Sequence, residues 1–206
     1  MTHDAKAWIF DLDGTLVRTQ DEYHAVAESD ILARHGIIVQ PAEISSRFAG
    51  IHTLEVFRIL APKIESRQLL KEKWQLMMGM AQTRPIRQIA GAQIVTKYLH
   101  DRGSRLAIAS ASPLSWIDLC LSQIDIKKYF SVTASVDEVE HGKPAPDVFL
   151  LAAKRLGIDP CKCIAVEDGM AGVFAALGAG MRTYWLTHDK RFIHRAKKIR
   201  SLAELI

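Results

Sequence analysis

Short apolar runs recur along this chain, and most of them stop at a residue able to do chemistry. Ala7 to Phe10 ends at Asp11, Leu106 to Ala109 ends at Ser110, and Ile164 to Val166 ends at Glu167. Runs of this length, bounded by polar and glycine residues, read as buried strands. Arg105–Ala109, Phe130–Ala134 and Arg182–Leu186 complete the strand pattern, the last of these being the final strand expected. Between the strands the apolar period is helical. Ile94, Val95, Tyr98 and Leu99 form a stripe that ends near Gly103. Ser112-Pro113 is expected to open a helix, with Ser as cap and Pro in the first turn. Pro146 and Asp147 start another, with Phe149, Ala152, Ala153 and Leu156 on one face and Gly157 as its stop. Ala171–Leu177 is a further helix. Strands alternating with helices predict an α/β fold with right-handed crossovers, a parallel sheet covered on both faces, and a crevice at the carboxyl ends of the strands.

The stretch from Val17 to Arg84 departs from this pattern, because no strand signal appears in it. Tyr23, Ala27 and Ile31 recur every four residues in a helix expected from about Asp21 to His35, stopped by Gly36. Helices over Pro41–Phe48, Thr53–Leu60 and Ser66–Met80 follow, with Gly50 and Pro62 as punctuation. An all-helical insertion after the first strand is the expectation.

The 206 residues are enough for one large domain or for a core plus a small insertion, and the composition, 49% hydrophobic and 24% charged, is that of a soluble globular protein. No apolar run approaches membrane-spanning length, and Met1-Thr2-His3-Asp4 lacks the basic start of a secretory leader. A cytoplasmic monomer with no membrane partner is expected. Cys120, Cys161 and Cys163 are odd in number, and Cys-Lys-Cys is no zinc spacing, so buried or incidental thiols are expected. The net charge of +4 is concentrated in residues 188–200, where Lys190, Arg191, Arg195, Lys197, Lys198 and Arg200 face the single acid Asp189. With only Phe192 interleaved as a stacking group, this run reads as a solvated helix or loop rather than a nucleic-acid site.

The candidate chemistry begins at Asp11-Leu12-Asp13-Gly14-Thr15. In extended chain alternate residues point the same way, so Asp11 and Asp13 can both project from the end of the first strand. Two such carboxylates repel and lose solvation, and a divalent cation is the usual compensation; oxygen ligands favour Mg²⁺.

Three further pieces follow in order: Ser110, then Lys143 within Gly142-Lys143-Pro144, then Glu167-Asp168. With them the chain resembles the haloacid dehalogenase superfamily of phosphohydrolases, over nearly its whole length. The resemblance implies a Rossmann-like parallel sheet core, residues 1–17 and 85–206, with an inserted helical cap domain, residues 18–84. It implies Asp11 as nucleophile, Asp13 as general acid/base, and Ser110 and Lys143 as groups that hold the phosphoryl oxygens. Gly14, Thr15, Ala111 and Ser112 would line the substrate. Mg²⁺ would be held by Asp11, Asp168 and the backbone carbonyl of Asp13, with Glu167 either a ligand or a holder of metal water. Ser112 competes with Ser110 for the motif position, and Ser110 is preferred because it ends the apolar run. Gly169 stands where relatives often have Ser, and Arg18 where they usually have Asp.

Within the superfamily, Ala109-Ser110-Ala111-Ser112-Pro113-Leu114 and Gly178-Ala179-Gly180-Met181 are most similar to the β-phosphoglucomutase branch, in particular its hexose- and hexitol-phosphate phosphatases. The expected function is Mg²⁺-dependent hydrolysis of a small phosphorylated metabolite, a sugar or sugar-alcohol phosphate. The alternatives are a phosphosugar mutase and a non-catalytic binding protein on the same fold. The mutase pattern has a His on the first cap helix and an Arg after the cap's Gly; here Tyr23 and Thr53 hold those positions, with His24 one place late. A dehalogenase is disfavoured, since attack at a carbon–halogen carbon needs neither Asp13 nor a metal.

Overall fold

The computed structural model describes residues 6–48 and 51–206. Met1-Thr2-His3-Asp4 and the expected punctuation at Gly50 lie outside these residues. The chain divides into two compact units, Met1–Val17 with Arg87–Ile206, and Arg18–Ile86.

The first unit is built on a six-stranded sheet, all of whose pairs are parallel. Its strands are β1 (Ala7–Phe10), β2 (Arg105–Ser110), β3 (Val132–Ser135), β4 (Cys163–Glu167), β5 (Arg182–Leu186) and β6 (Ala196–Ile199), in the spatial order β3-β2-β1-β4-β5-β6. The order reverses between β1 and β4, which is where an open parallel sheet leaves a crevice at its carboxyl edge. Odd positions of β1, Ala7 and Ile9, pack with Ala107, Ala109 and Ala165 against Val148, Phe149, Ala152, Ala153, Ala175 and Ala176. Even positions carry aromatics: Trp8 stacks on Phe10 and Tyr184, and Phe10 meets the edge of Phe130. Both faces of β1 are therefore buried, which is why its sequence shows no alternation. Each fully buried Ile or Phe here contributes about 1.5–3 kcal/mol of transfer free energy.

The helical unit holds α1 (Ala25–Arg34), α2 (Pro41–Arg47), α3 (Thr53–Leu60) and α4 (Ser66–Thr83). Ile31, Leu32, Ile44, Phe57 and Leu69 form its core. Its first turn, Gln20–His24, is a π-turn in which Thr19 O accepts from the amides of both Tyr23 and His24. The helix expected from Asp21 thus begins as a wider turn. Within this unit Lys73, fully buried, bonds His24 Nδ1 and Thr53 Oγ1, both at 2.8 Å, and lies 3.2 Å from Glu28 Oε1. A buried ammonium is tolerated because these partners surround it.

The core helices are α5 (Ala92–Asp101), α6 (Leu114–Gln123), α7 (Asp147–Leu156) and α8 (Met170–Gly178). Two expectations are corrected. The basic run is neither helix nor featureless loop: Ala196 and Ile199 are buried and Lys197 is exposed, so residues 196–199 pair with β5 as a further strand. Lysines on such an edge oppose pairing with another chain. Ser112 does not cap α6, whose N-cap is Pro113 with no side-chain bond. Its hydroxyl is used elsewhere.

No helix among the described residues is long and apolar enough to cross a membrane. The three cysteines are free; Cys120 and Cys163 are buried and Cys161 is exposed.

Candidate active site

Sheet register brings the first and last motifs together. Phe10 pairs with Val166, and the Asp11 amide donates to Val166 O at 2.9 Å, so the β1–β4 ladder runs one residue beyond β1. That extension sets Asp11 beside the end of β4. Asp11, Glu167 and Asp168 each offer a carboxylate oxygen, and the three oxygens lie within 4.8 Å of one another. Lys143 Nζ closes the corner, 2.6 Å from Asp11 Oδ1 and 2.8 Å from Glu167 Oε1. It is not the surface lysine that an isolated Gly-Lys-Pro would suggest; its side chain is 6% exposed.

The electrostatics of this corner are unbalanced. Burial is the largest influence on Asp11 and pushes it up to about 7, against the downward pull of Lys143 and with Glu167 adding to the rise. Burial also holds Asp168 well above the usual carboxylate range, followed by repulsion from Glu167 and Asp11. Burial opposes the charge on Lys143, but the attraction of Asp11 and Glu167 outweighs it, and its ammonium is held above the ordinary lysine range. One ammonium cannot neutralise three carboxylates. A compact set of hard oxygen donors with surplus negative charge fits Mg²⁺.

Two glycines make the corner possible. Gly14 has φ +92°, and a Cβ there would stand 2.2 Å from Asp168 Oδ2. A Cβ at Gly172, on α8, would stand 1.6 Å from Glu167 Oε1. Glu167 therefore folds back over the first turn of α8, where its other oxygen accepts from the Gly169 amide at 2.6 Å. Thr15, fully buried, donates to Asp168 Oδ1 at 3.0 Å, and Trp185 Nε1 donates to Asp168 O at 2.9 Å.

A second group gathers beside β2. The Asp13 carboxylate stands outside the trio of possible metal ligands. Its Oδ2 accepts from Ser112 Oγ at 2.5 Å and its Oδ1 from Trp116 Nε1 at 2.9 Å. Ser110 Oγ accepts from the Ser112 amide at 3.1 Å, a bond that leaves its hydroxyl hydrogen available to donate. Ser135 Oγ fixes Ser112 O at 2.8 Å. Ala111 is half-buried between the two serines.

Of the residues singled out in the sequence, Asp11, Lys143, Glu167 and Asp168 meet at one corner, with Gly14 and Thr15 packed against Asp168. Asp13, Ser110 and Ser112 form the adjoining group. The side chains of Thr15 and Ser112 are engaged with carboxylates rather than open for a ligand. Trp116 and Trp185 were not anticipated; at Gly172, where the sequence suggests close backbone approach, the space is taken by the Glu167 side chain. Trp116 lies four residues after Ser112, one helical turn, and that spacing is the only local hint that both side chains reach one neighbour.

Residues 5–180 match the family described as haloacid dehalogenase-like hydrolase. The chain is 32% identical to the putative phosphatase YhcW of Bacillus subtilis over 185 residues, 86% of this chain and 81% of the relative. It is 29% identical to hexitol phosphatase B of Escherichia coli over 210 residues, 97% of this chain and 93% of the relative. Among solved structures, CbbY from Rhodobacter sphaeroides in complex with phosphate superposes with a TM-score of 0.82 at 26% identity, covering 98% of this chain and 96% of that one. With three of the four ordered motifs meeting at one buried corner of a parallel sheet and Ser110 in the group beside it, the chain belongs to the haloacid dehalogenase-like hydrolases and is an enzyme of that family.

Proposed function

We propose that this enzyme is a Mg²⁺-dependent phosphatase of small phosphate monoesters, sugar or sugar-alcohol phosphates, acting through a phosphorylated Asp11. The observation that carries the reading is the Asp11 carboxylate, buried, bonded to Lys143 and flanked by Glu167 and Asp168, with a separate carboxylate, Asp13, held nearby by neutral donors. Names of the relatives support the substrate class: hexitol phosphatase is one of them.

In this scheme an Asp11 oxygen forms a bond to phosphorus as the ester P–O bond breaks. The departing alkoxide takes a proton from Asp13. Ser110 donates to a phosphoryl oxygen, and Lys143 offsets charge on that group and on Asp11. Asp13, now ionised, takes a proton from water, whose oxygen attacks phosphorus, releases inorganic phosphate and restores Asp11. Asp11, Asp168 and the Asp13 carbonyl would hold Mg²⁺, with Glu167 as a further ligand or an anchor for its water. The ion would supply charge neutralisation for the transferring phosphoryl group. The helical unit, residues 18–84 by sequence, would carry the selectivity for the organic part of the ester.

The test is phosphate release from a panel of hexose and hexitol phosphates, with Mg²⁺ and with excess chelator. Release that stops in chelator and in Asp168→Ala is expected. Full turnover in chelator overturns the metal requirement, and isomerisation of β-glucose 1-phosphate much faster than phosphate release overturns the phosphatase reading in favour of a mutase.

A further inference from the structure

Asp13 is 7% exposed, and each of its carboxylate oxygens is taken by a donor from the segment that follows β2. One donor, Ser112, belongs to the motif segment itself. The other, Trp116, is an indole in the first turn of α6, completely buried. A buried indole N–H needs an acceptor, and here the acceptor is a carboxylate rather than the backbone oxygen that would serve equally for packing. Cys120, one turn further along α6, is buried too, and burial, then the charge of Asp13, push its thiol above the ordinary range.

We infer that Trp116 is a positioning residue for the acid/base chemistry, fixing the Asp13 carboxylate through its indole N–H together with the Ser112 hydroxyl. A carboxylate on a single Cβ turns about two torsions, and one bond leaves it free to rotate about the bonded oxygen. Two donors on different oxygens, at 2.5 and 2.9 Å, fix its plane. Proton transfer to an alkoxide and from water both depend on that plane, since a misplaced proton donor loses its effect steeply. Bond formation between Asp11 and phosphorus does not use Asp13 when the leaving group needs no proton. The inference rests on the acid/base role proposed for Asp13.

The experiment compares Trp116→Phe, which removes the N–H and keeps most of the ring, with Asp13→Ala and with the double variant, on a hexitol phosphate and on an activated aryl phosphate. For Trp116→Phe, kcat on the hexitol ester should fall about tenfold or more with KM little changed, while the burst rate on the aryl ester is retained. In the Asp13→Ala background, Trp116→Phe should cause no further loss in the slow aryl turnover, because its effect passes through Asp13. Equal losses on both esters, an additive loss in the double variant, or no change at all would overturn the inference while leaving Asp13 in its role. Asp13→Ala with equal losses on both esters would remove that role, and the inference with it. Should Trp116→Phe fail to fold, the wild-type protein decides: the indole N–H resonance of Trp116 should be protected from exchange and should shift in Asp13→Asn, and four indole resonances indifferent to that change would overturn the assignment.

Discussion

Asp11 and Asp13 are two positions apart, yet their surroundings give them different chemistry. Asp11 faces a buried ammonium and two further carboxylates, whereas Asp13 faces a hydroxyl and an indole. The first arrangement suits a nucleophile that must carry and lose a phosphoryl group; the second suits a carboxylate that exchanges a proton. A sugar alkoxide needs that proton to depart and an aryl oxide does not. Asp13→Ala should therefore slow the first step by about 10²-fold or more on a sugar phosphate and little on an aryl phosphate, with a burst and then slow turnover on the latter. Stopped-flow release of the aryl alcohol measures both phases, and equal losses in the two first steps would contradict the assignment. At this scale Asp11, Ser110 and Glu167 were legible because each closes an apolar run, and Lys143 only through its place in order between Ser110 and Glu167. The partners of Asp13 were not. A tryptophan inside a helical pattern reads as core, and Ser before Pro reads as a cap; only the tertiary fold reveals that both donate to one carboxylate.

At the level of elements, the turn from β4 into α8 is the most constrained part of the site. Glu167 lies back across Gly172, so any side chain there competes with the carboxylate for one space. Gly172→Ala gains helix propensity, up to about 1 kcal/mol, but must displace Glu167 from Lys143 and from the Gly169 amide. A folded protein with kcat reduced about 10²-fold is expected, measured by circular dichroism and steady-state kinetics; full activity would show that Glu167 has no such post. The same corner makes stability depend on pH in the metal-free protein. Asp11 is raised from 3.8 to about 7 on folding, so between those values the folded state binds more protons than the unfolded one. Stability contributed by this group is then lost as pH rises through that window. Mg²⁺ displaces the proton, and the increase in Tm that it produces should grow as pH rises from about 5 to about 7. A Mg²⁺ effect that is absent, or that diminishes over this range, would contradict the charge balance described. Element existence was largely readable from apolar period, including the strand-less run after Val17. β6 was hidden because two consecutive lysines, Lys197 and Lys198, stand between its two buried residues, Ala196 and Ile199, and break the alternation expected of a strand.

Across the whole molecule, a parallel sheet delivers residues 11, 110, 143 and 167–168, far apart in sequence, to its carboxyl edge, with β1 central and β4 beside it. This convergence could be anticipated because the rule for open α/β sheets fixes where loops with chemistry must lie. Substrate identity could not, since in the proposed scheme the motifs act on the phosphoryl group common to every ester of the class. The central claim is that Asp11 takes up that group covalently. Its most direct test is peptide mapping by mass spectrometry of Asp13→Ala, acid-quenched after mixing with an aryl phosphate and Mg²⁺. The expected result is one phosphoryl adduct on the peptide bearing Asp11, formed at the rate of the burst and absent from Asp11→Asn. A burst that leaves Asp11 unmodified, or an adduct on another residue, would contradict it.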